Sequence, residues 1–129
     1  MYHPLSGQCA QVNEKNEVEL GSCETKNRWV HGENATKILL QGIKKCLTAA
    51  GEGLPIIVSD CERKNSFWKL ASLSKLHLAT MNQHKEQLCL QKDSNSSTII
   101  TSKCICIKDD SECLDDPQNQ WFQLVQTNV

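Results

Sequence analysis

Apolar residues recur along this chain in short runs, and each run is bounded by Gly, Pro, Asn or Asp. Glu17-Val18-Glu19-Leu20 and Lys75-Leu76-His77-Leu78-Ala79-Thr80 alternate polar and apolar, as half-buried strands do. Thr36–Gln41, Lys45–Thr48, Pro55–Ser59, Phe67–Leu70, Leu88–Gln91, Thr98–Ser102 and Gln120–Val125 read as further strands, and Trp29-Val30 starts another. His3-Pro4-Leu5-Ser6-Gly7 is a turn cluster that leads into Gln8–Val12. Breakers come about every ten residues, too often for a long helical window. Short strands at that spacing predict an all-β domain.

The runs repeat in order. Cys46-Leu47, a Gly/Pro turn, Ile56-Ile57-Val58, Cys61 and Trp68 form one unit. Cys9-Ala10, Val18-Glu19-Leu20, Cys23 and Trp29 precede it with the same pattern. Cys89-Leu90, Thr98-Ile99-Ile100-Thr101, Cys104 and Trp121 follow it. The boundaries fall at about 2–41, 42–82 and 83–129, within one domain over 1–129. Repeats of this kind are units that bury their apolar faces against each other. Cys23 to Trp29 spans six residues and Cys61 to Trp68 seven, but Cys104 to Trp121 spans seventeen, so the third unit carries an inserted loop.

Eight cysteines in 129 residues point to a disulfide framework and an oxidising compartment. Pairing within repeats treats the units alike: Cys9–Cys23, Cys46–Cys61 and Cys89–Cys104 close nearly equal loops, and Cys106–Cys113 would staple the insertion. A pairing that exchanges Cys104 and Cys106 stays open. Each loop near fifteen residues would contribute about 3 kcal/mol in the chain-entropy account. That matters here, because three Trp, two Phe and one Tyr make a thin aromatic core. The sequons Asn34-Ala35-Thr36 and Asn95-Ser96-Ser97 are candidate glycosylation sites and fit a secreted route.

Net charge is −1, from 14 basic and 15 acidic residues, which gives no pull on nucleic acid or on an anionic membrane. No apolar run approaches the ~20 residues of a membrane-spanning helix. Met1-Tyr2-His3-Pro4 has neither the basic nor the apolar region of a signal peptide. The natural chain is therefore expected to continue upstream.

Gly7-Gln8-Cys9-Ala10, Lys44-Lys45-Cys46-Leu47 and Gln87-Leu88-Cys89-Leu90 open the units, and Asn27-Arg28-Trp29, Ser66-Phe67-Trp68 and Asn119-Gln120-Trp121 end them. In register with three cysteine pairs, these motifs resemble the ricin B-type lectin family over nearly the whole chain. The resemblance implies a β-trefoil, a short closed barrel with a hairpin cap and pseudo-threefold repeats. Tyr2–Cys9, Ser74–Thr80, Cys104-Ile105-Cys106 and Gln120–Val125 are similar to the C-terminal module of plant cellulase-like proteins of glycoside hydrolase family five. In that family a catalytic barrel precedes the module. The likeness implies a secreted, cell-wall location and a first strand truncated to Tyr2-His3 or lost.

Sugar sites of the ricin type use an Asp two residues after the first cysteine, an aromatic two before the second, and Asn or Gln just before the Trp. A pyranose needs this set because it has a C–H face and a hydroxyl rim. Here the Asp positions hold Gln11, Thr48 and Gln91, and the aromatic positions hold Gly21, Ser59 and Ser102. The usual galactose site is therefore not expected. Gln11 with Asn13 and Asn27, and Gln91 with Asp93 and Asn119, are the remaining carbohydrate-binding candidates. Equivalence across the repeats places Trp29, Trp68 and Trp121 in the core, each with its indole N–H bonded to an acceptor.

Asp109, Asp110, Glu112, Asp115 and Asp116 lack the alternating pattern of a calcium loop and read as solvated surface. No histidine near Cys104, Cys106 and Cys113 suggests zinc, so no metal or cofactor is expected. His3, His31, His77 and His84 have no nucleophile motif beside them. Family-five catalysis uses two glutamates on a barrel of about 250 residues, which this chain cannot hold. The favoured function is a non-catalytic carbohydrate-binding module that holds a glycosidase near plant cell-wall polysaccharide. The alternative is a structural accessory that packs on the upstream barrel and binds no sugar. A trefoil protease inhibitor of the Kunitz type would lack the Cys/Trp repeat.

Overall fold

The computed structural model describes residues 1–24, 29–32, 37–40, 45–62, 66–70, 77–81, 84–106 and 118–123. Three antiparallel sheets account for nearly all regular structure among them. β1 (Tyr2–His3), β2 (Gln8–Val12) and β3 (Val18–Gly21) form the first, in that order. β4 (Trp29–Gly32), β5 (Lys37–Leu40), β6 (Lys45–Thr48) and β7 (Ile57–Ser59) form the second. β8 (Lys69–Leu70), β9 (Leu78–Met81), β10 (Gln87–Lys92) and β11 (Ile99–Lys103) form the third. A 3-10 turn at Gln118–Gln120 leads into the last described segment. β1 is a strand of only two residues, as the sequence suggested.

Local chemistry fixes the hairpins. The turn after β2 is built on Asn13, whose Oδ1 accepts the N–H groups of Lys15 (2.8 Å) and Glu17 (3.1 Å). Asn16 closes it at φ 62°, a left-handed conformation that asparagine tolerates better than most residues. The matching turn after β10 starts at Asp93, whose Oδ2 accepts the Ser96 hydroxyl at 2.9 Å. In the second unit Gly53 takes the positive φ, 79°.

The units correspond residue by residue. Val30 pairs with Leu39 across β4 and β5, and Lys69 pairs with Ala79 across β8 and β9. The third such contact joins the two ends of the described chain, because Tyr2 bridges Gln123. The Tyr2 N–H donates to the Gln123 carbonyl at 2.7 Å, and the Gln123 N–H donates back at 2.8 Å. The three sheets thus share one closed set of contacts, which leaves few bare edges.

Core residues fall in threes on the same correspondence. Val18, Ile56 and Ile99 have no exposed surface, and their backbones are linked: Val18 N–H to Ile56 O and Ile56 N–H to Ile99 O, each 2.8 Å. The Leu20 N–H reaches Ser97 O at 2.7 Å, beside the Glu19–Thr98 bridge, and joins β3 to the start of β11. Ala10, Leu47 and Leu90 form a second buried trio, and Met1, Ile38 and Leu78 a third. Leu20 and Val58 correspond to Thr101, a buried polar residue whose hydroxyl donates to Gly51 O at 2.7 Å.

Trp29 and Trp68 are core residues, as expected. Their indole N–H groups donate to Ala10 O (3.0 Å) and Leu47 O (2.8 Å), the residue after the first cysteine in each case. Trp121 is not their counterpart. It is partly exposed, and its Nε1, though buried, has no hydrogen-bond partner among the described residues. Phe122 fills the core position instead, fully buried and opposite β1. The third unit's motif is therefore shifted by one residue: Gln120-Trp121-Phe122 matches Ser66-Phe67-Trp68.

Disulfides join Cys9 to Cys23, Cys46 to Cys61 and Cys89 to Cys104, with Cα separations of 4.8, 4.9 and 5.0 Å. Cys104, not Cys106, is the partner of Cys89. Cys106 is itself disulfide-bonded; its expected partner Cys113 lies outside the described residues, as does the acidic stretch of the insertion.

The shifted register has a measurable consequence. Phe122→Ala should cost about 3–5 kcal/mol in urea unfolding, the range for emptying a buried aromatic site. Trp121→Ala should cost clearly less, the reverse of the ordering that the repeated tryptophan suggests.

Candidate carbohydrate site

Each hairpin brings two of the expected site positions together. The residue two after the first cysteine lies diagonal, across the ladder, to the residue two before the second. Cys9 pairs with Gly21, Cys46 with Ser59 and Cys89 with Ser102. What occupies the positions differs from unit to unit.

In the first unit the Gln11 amide lies across Gly21. A Cβ built on Gly21 would stand 2.0 Å from Gln11 Nε2 and 2.6 Å from its Cδ. Gln11 therefore covers the place where a sugar-binding lobe would carry its aromatic ring. Asn13 is spent on the turn described above, and Asn27 lies outside the described residues.

The second unit is closed by hydroxyls. Thr48 Oγ1 accepts from Ser59 Oγ at 2.9 Å, lies 2.9 Å from Ser66 Oγ, and donates to Cys46 O at 3.0 Å. Thr48 and Ser66 are buried. These groups satisfy one another, so the lobe offers a ligand little.

In the third unit Gln91 meets Gln120. The fully buried Gln120 donates through Nε2 to Gln91 Oε1 (3.0 Å) and Lys103 O (2.8 Å), and its Oε1 accepts the Ile105 N–H at 3.0 Å. Gln120, which sequence reasoning passed over, thus stands where Asn119 was expected. Burial and the one-residue shift of the aromatic motif were the signals that could have found it. Asn119 instead gives its backbone carbonyl to His3. Asp93 is held in its turn by Ser96. Gln91 spends its side-chain oxygen on Gln120.

His3 ties the third unit to the first. Its Nδ1 lies 2.8 Å from Ser6 Oγ, its Nε2 lies 3.1 Å from Asn119 O, and its ring packs on Phe122 with centroids 4.8 Å apart. With the proton on Nε2, that nitrogen donates to the carbonyl and Nδ1 accepts the serine hydroxyl. Burial pushes the imidazole below its usual 6.5, and Lys92 adds to the shift, against the opposing pull of the Asn119 carbonyl. Among the described residues no cluster of three or more His, Cys, Asp or Glu could hold a metal ion.

No family model matches the chain. The chain is 36% identical over 137 aligned positions to a "Glycosyl hydrolase 5 family protein" of Chamaecyparis obtusa, and the alignment takes in 99% of this chain. The chain spans 24% of that relative's length, so most of the relative has no counterpart here. The relative's family is the one to which the terminal runs pointed.

The His3 contacts make stability depend on pH. Burial lowers the imidazole's pKa in the folded state, so the unfolded state binds more protons and stability falls as pH drops through 6.5 and below. The thermal midpoint should therefore decline as pH falls through 6.5, and His3→Gln should flatten that decline.

Proposed function

We propose that the chain is a ricin B-type β-trefoil that serves as the non-catalytic carbohydrate-binding module of a secreted plant glycosidase. One observation carries the reading: the same disulfide-closed hairpin recurs three times in a chain whose relative bears a glycosyl hydrolase name. In this reading a catalytic barrel lies upstream in the same chain and the ligand is a cell-wall polysaccharide or glycan. The disulfides are in keeping with an extracellular location.

Sugar contacts then fall to the first and third units. Gln11 and Gln91 supply neutral amides that can bond to hydroxyls, with Asn27 completing the first set and Gln120 orienting Gln91. Without a carboxylate or a stacking ring, each site would be weak, and affinity for a polymer would come from using two sites at once. Affinity electrophoresis against soluble cell-wall polysaccharides tests this. Retardation should be seen, lessened by Gln11→Ala or Gln91→Ala and lost in the double variant. Unretarded migration at millimolar saccharide equivalents would refute sugar binding.

A structural accessory role is the second reading, and exposed apolar side chains favour it. Phe67, Leu70 and Met81 are 48, 45 and 45% exposed, and they lie just before, in and at the end of the paired strands β8 and β9. Lys37 Nζ sits 5.0 Å from the Phe67 ring centroid. In this reading the rim packs on the barrel. Phe67→Ser with Met81→Ser should then lower the thermal midpoint of the barrel-containing protein while leaving that of this domain unchanged.

A further inference from the structure

We propose that Asn95 is an N-glycan acceptor. This rests on passage through the secretory pathway and is independent of whether the module binds sugar. Asn95-Ser96-Ser97 is a sequon, and all four residues of the turn, 94–97, are exposed between β10 and β11. The turn is held from beneath. Asp93 N–H donates to Thr98 O at 2.9 Å, Thr98 N–H to Ser96 Oγ at 3.2 Å, and Leu20 N–H to Ser97 O at 2.7 Å. None of these bonds uses the Asn95 amide. A glycan on its Nδ2 therefore breaks no contact and displaces no packed group.

The site is particular to the third unit. The matching turns hold Asn13-Glu14-Lys15-Asn16 and Gly51-Glu52-Gly53-Leu54, and neither has a hydroxyl residue two after an asparagine. The donor is a lipid-pyrophosphate-linked oligosaccharide, acted on by the transferase of the secretory lumen. The Asn95 Nδ2–C1 bond forms, the C1–O bond to the lipid pyrophosphate breaks, and one amide proton leaves with the departing pyrophosphate. The lumen is also where the cysteines would be oxidised, so one compartment accounts for both features.

The test is secretion of the chain from yeast with the other sequon silenced by Asn34→Gln, followed by endoglycosidase H and peptide mass analysis. The expected result is a band that shifts on digestion, with a single N-acetylglucosamine left on the peptide containing Asn95. Asn95→Gln and Ser97→Ala should each abolish the shift and leave the thermal midpoint unchanged, since Ser97 lends only its backbone carbonyl to the fold. Secreted Asn34→Gln protein with an unmodified Asn95 overturns the proposal. If secretion fails, translation into microsomes gives the same reading: a protease-protected chain with unmodified Asn95 overturns it equally.

Discussion

The two backbone hydrogen bonds between Tyr2 and Gln123 close this molecule. No single unit could stand without its neighbours. Each is a hairpin with one apolar face, and that face finds cover only against the other two units. Val18, Ile56 and Ile99 are where the faces meet, and two backbone hydrogen bonds link them in series. The end-to-end pairing extends the same economy to the rim. It sets the two-residue β1, with its buried His3, against a fully buried Phe122, where two residues of sheet alone would hold little.

Threefold packing leaves the polar positions free to differ. The core trios vary only slightly, with Thr101 in place of an aliphatic and Phe122 in place of Trp. The outer positions diverge completely: an amide folded over glycine, a closed hydroxyl triad, and a pair of glutamines. In each unit the backbone sets the residue two after the first cysteine diagonal to the residue two before the second, and side-chain chemistry decides what that spot presents. The second unit has the best hydrogen-bonded site and for that reason the least to offer a ligand.

Much of this was legible in the sequence because covalent and aromatic markers repeat. The cysteine spacing led to three disulfides, and alternation located the strands to within a few residues. The misreading came where the markers double: Trp121 and Phe122 are adjacent, and the long insertion before them removed the spacing that would have set the register. Choosing the larger ring shifted the polar partner as well, from Gln120 to Asn119. Burial decides between neighbours in that situation, and burial is not written in a tripeptide. His3 was also illegible as a clasp, because its partners, the Asn119 carbonyl and Phe122, are distant in sequence and reach it only through the closing pair.

The central claim is that the chain's first strand and its last described segment complete a ring of three equivalent units. Native-state hydrogen exchange of the backbone amides tests it most directly. If the ring closes as described, the Tyr2 and Gln123 amides are protected to nearly the same degree as those of Val18 and Ile56, and all are released together in global unfolding. Exchange of Tyr2 and Gln123 as fast as the exposed turn amides at Lys15 and Asn95, with Val18 and Ile56 still protected, would contradict it.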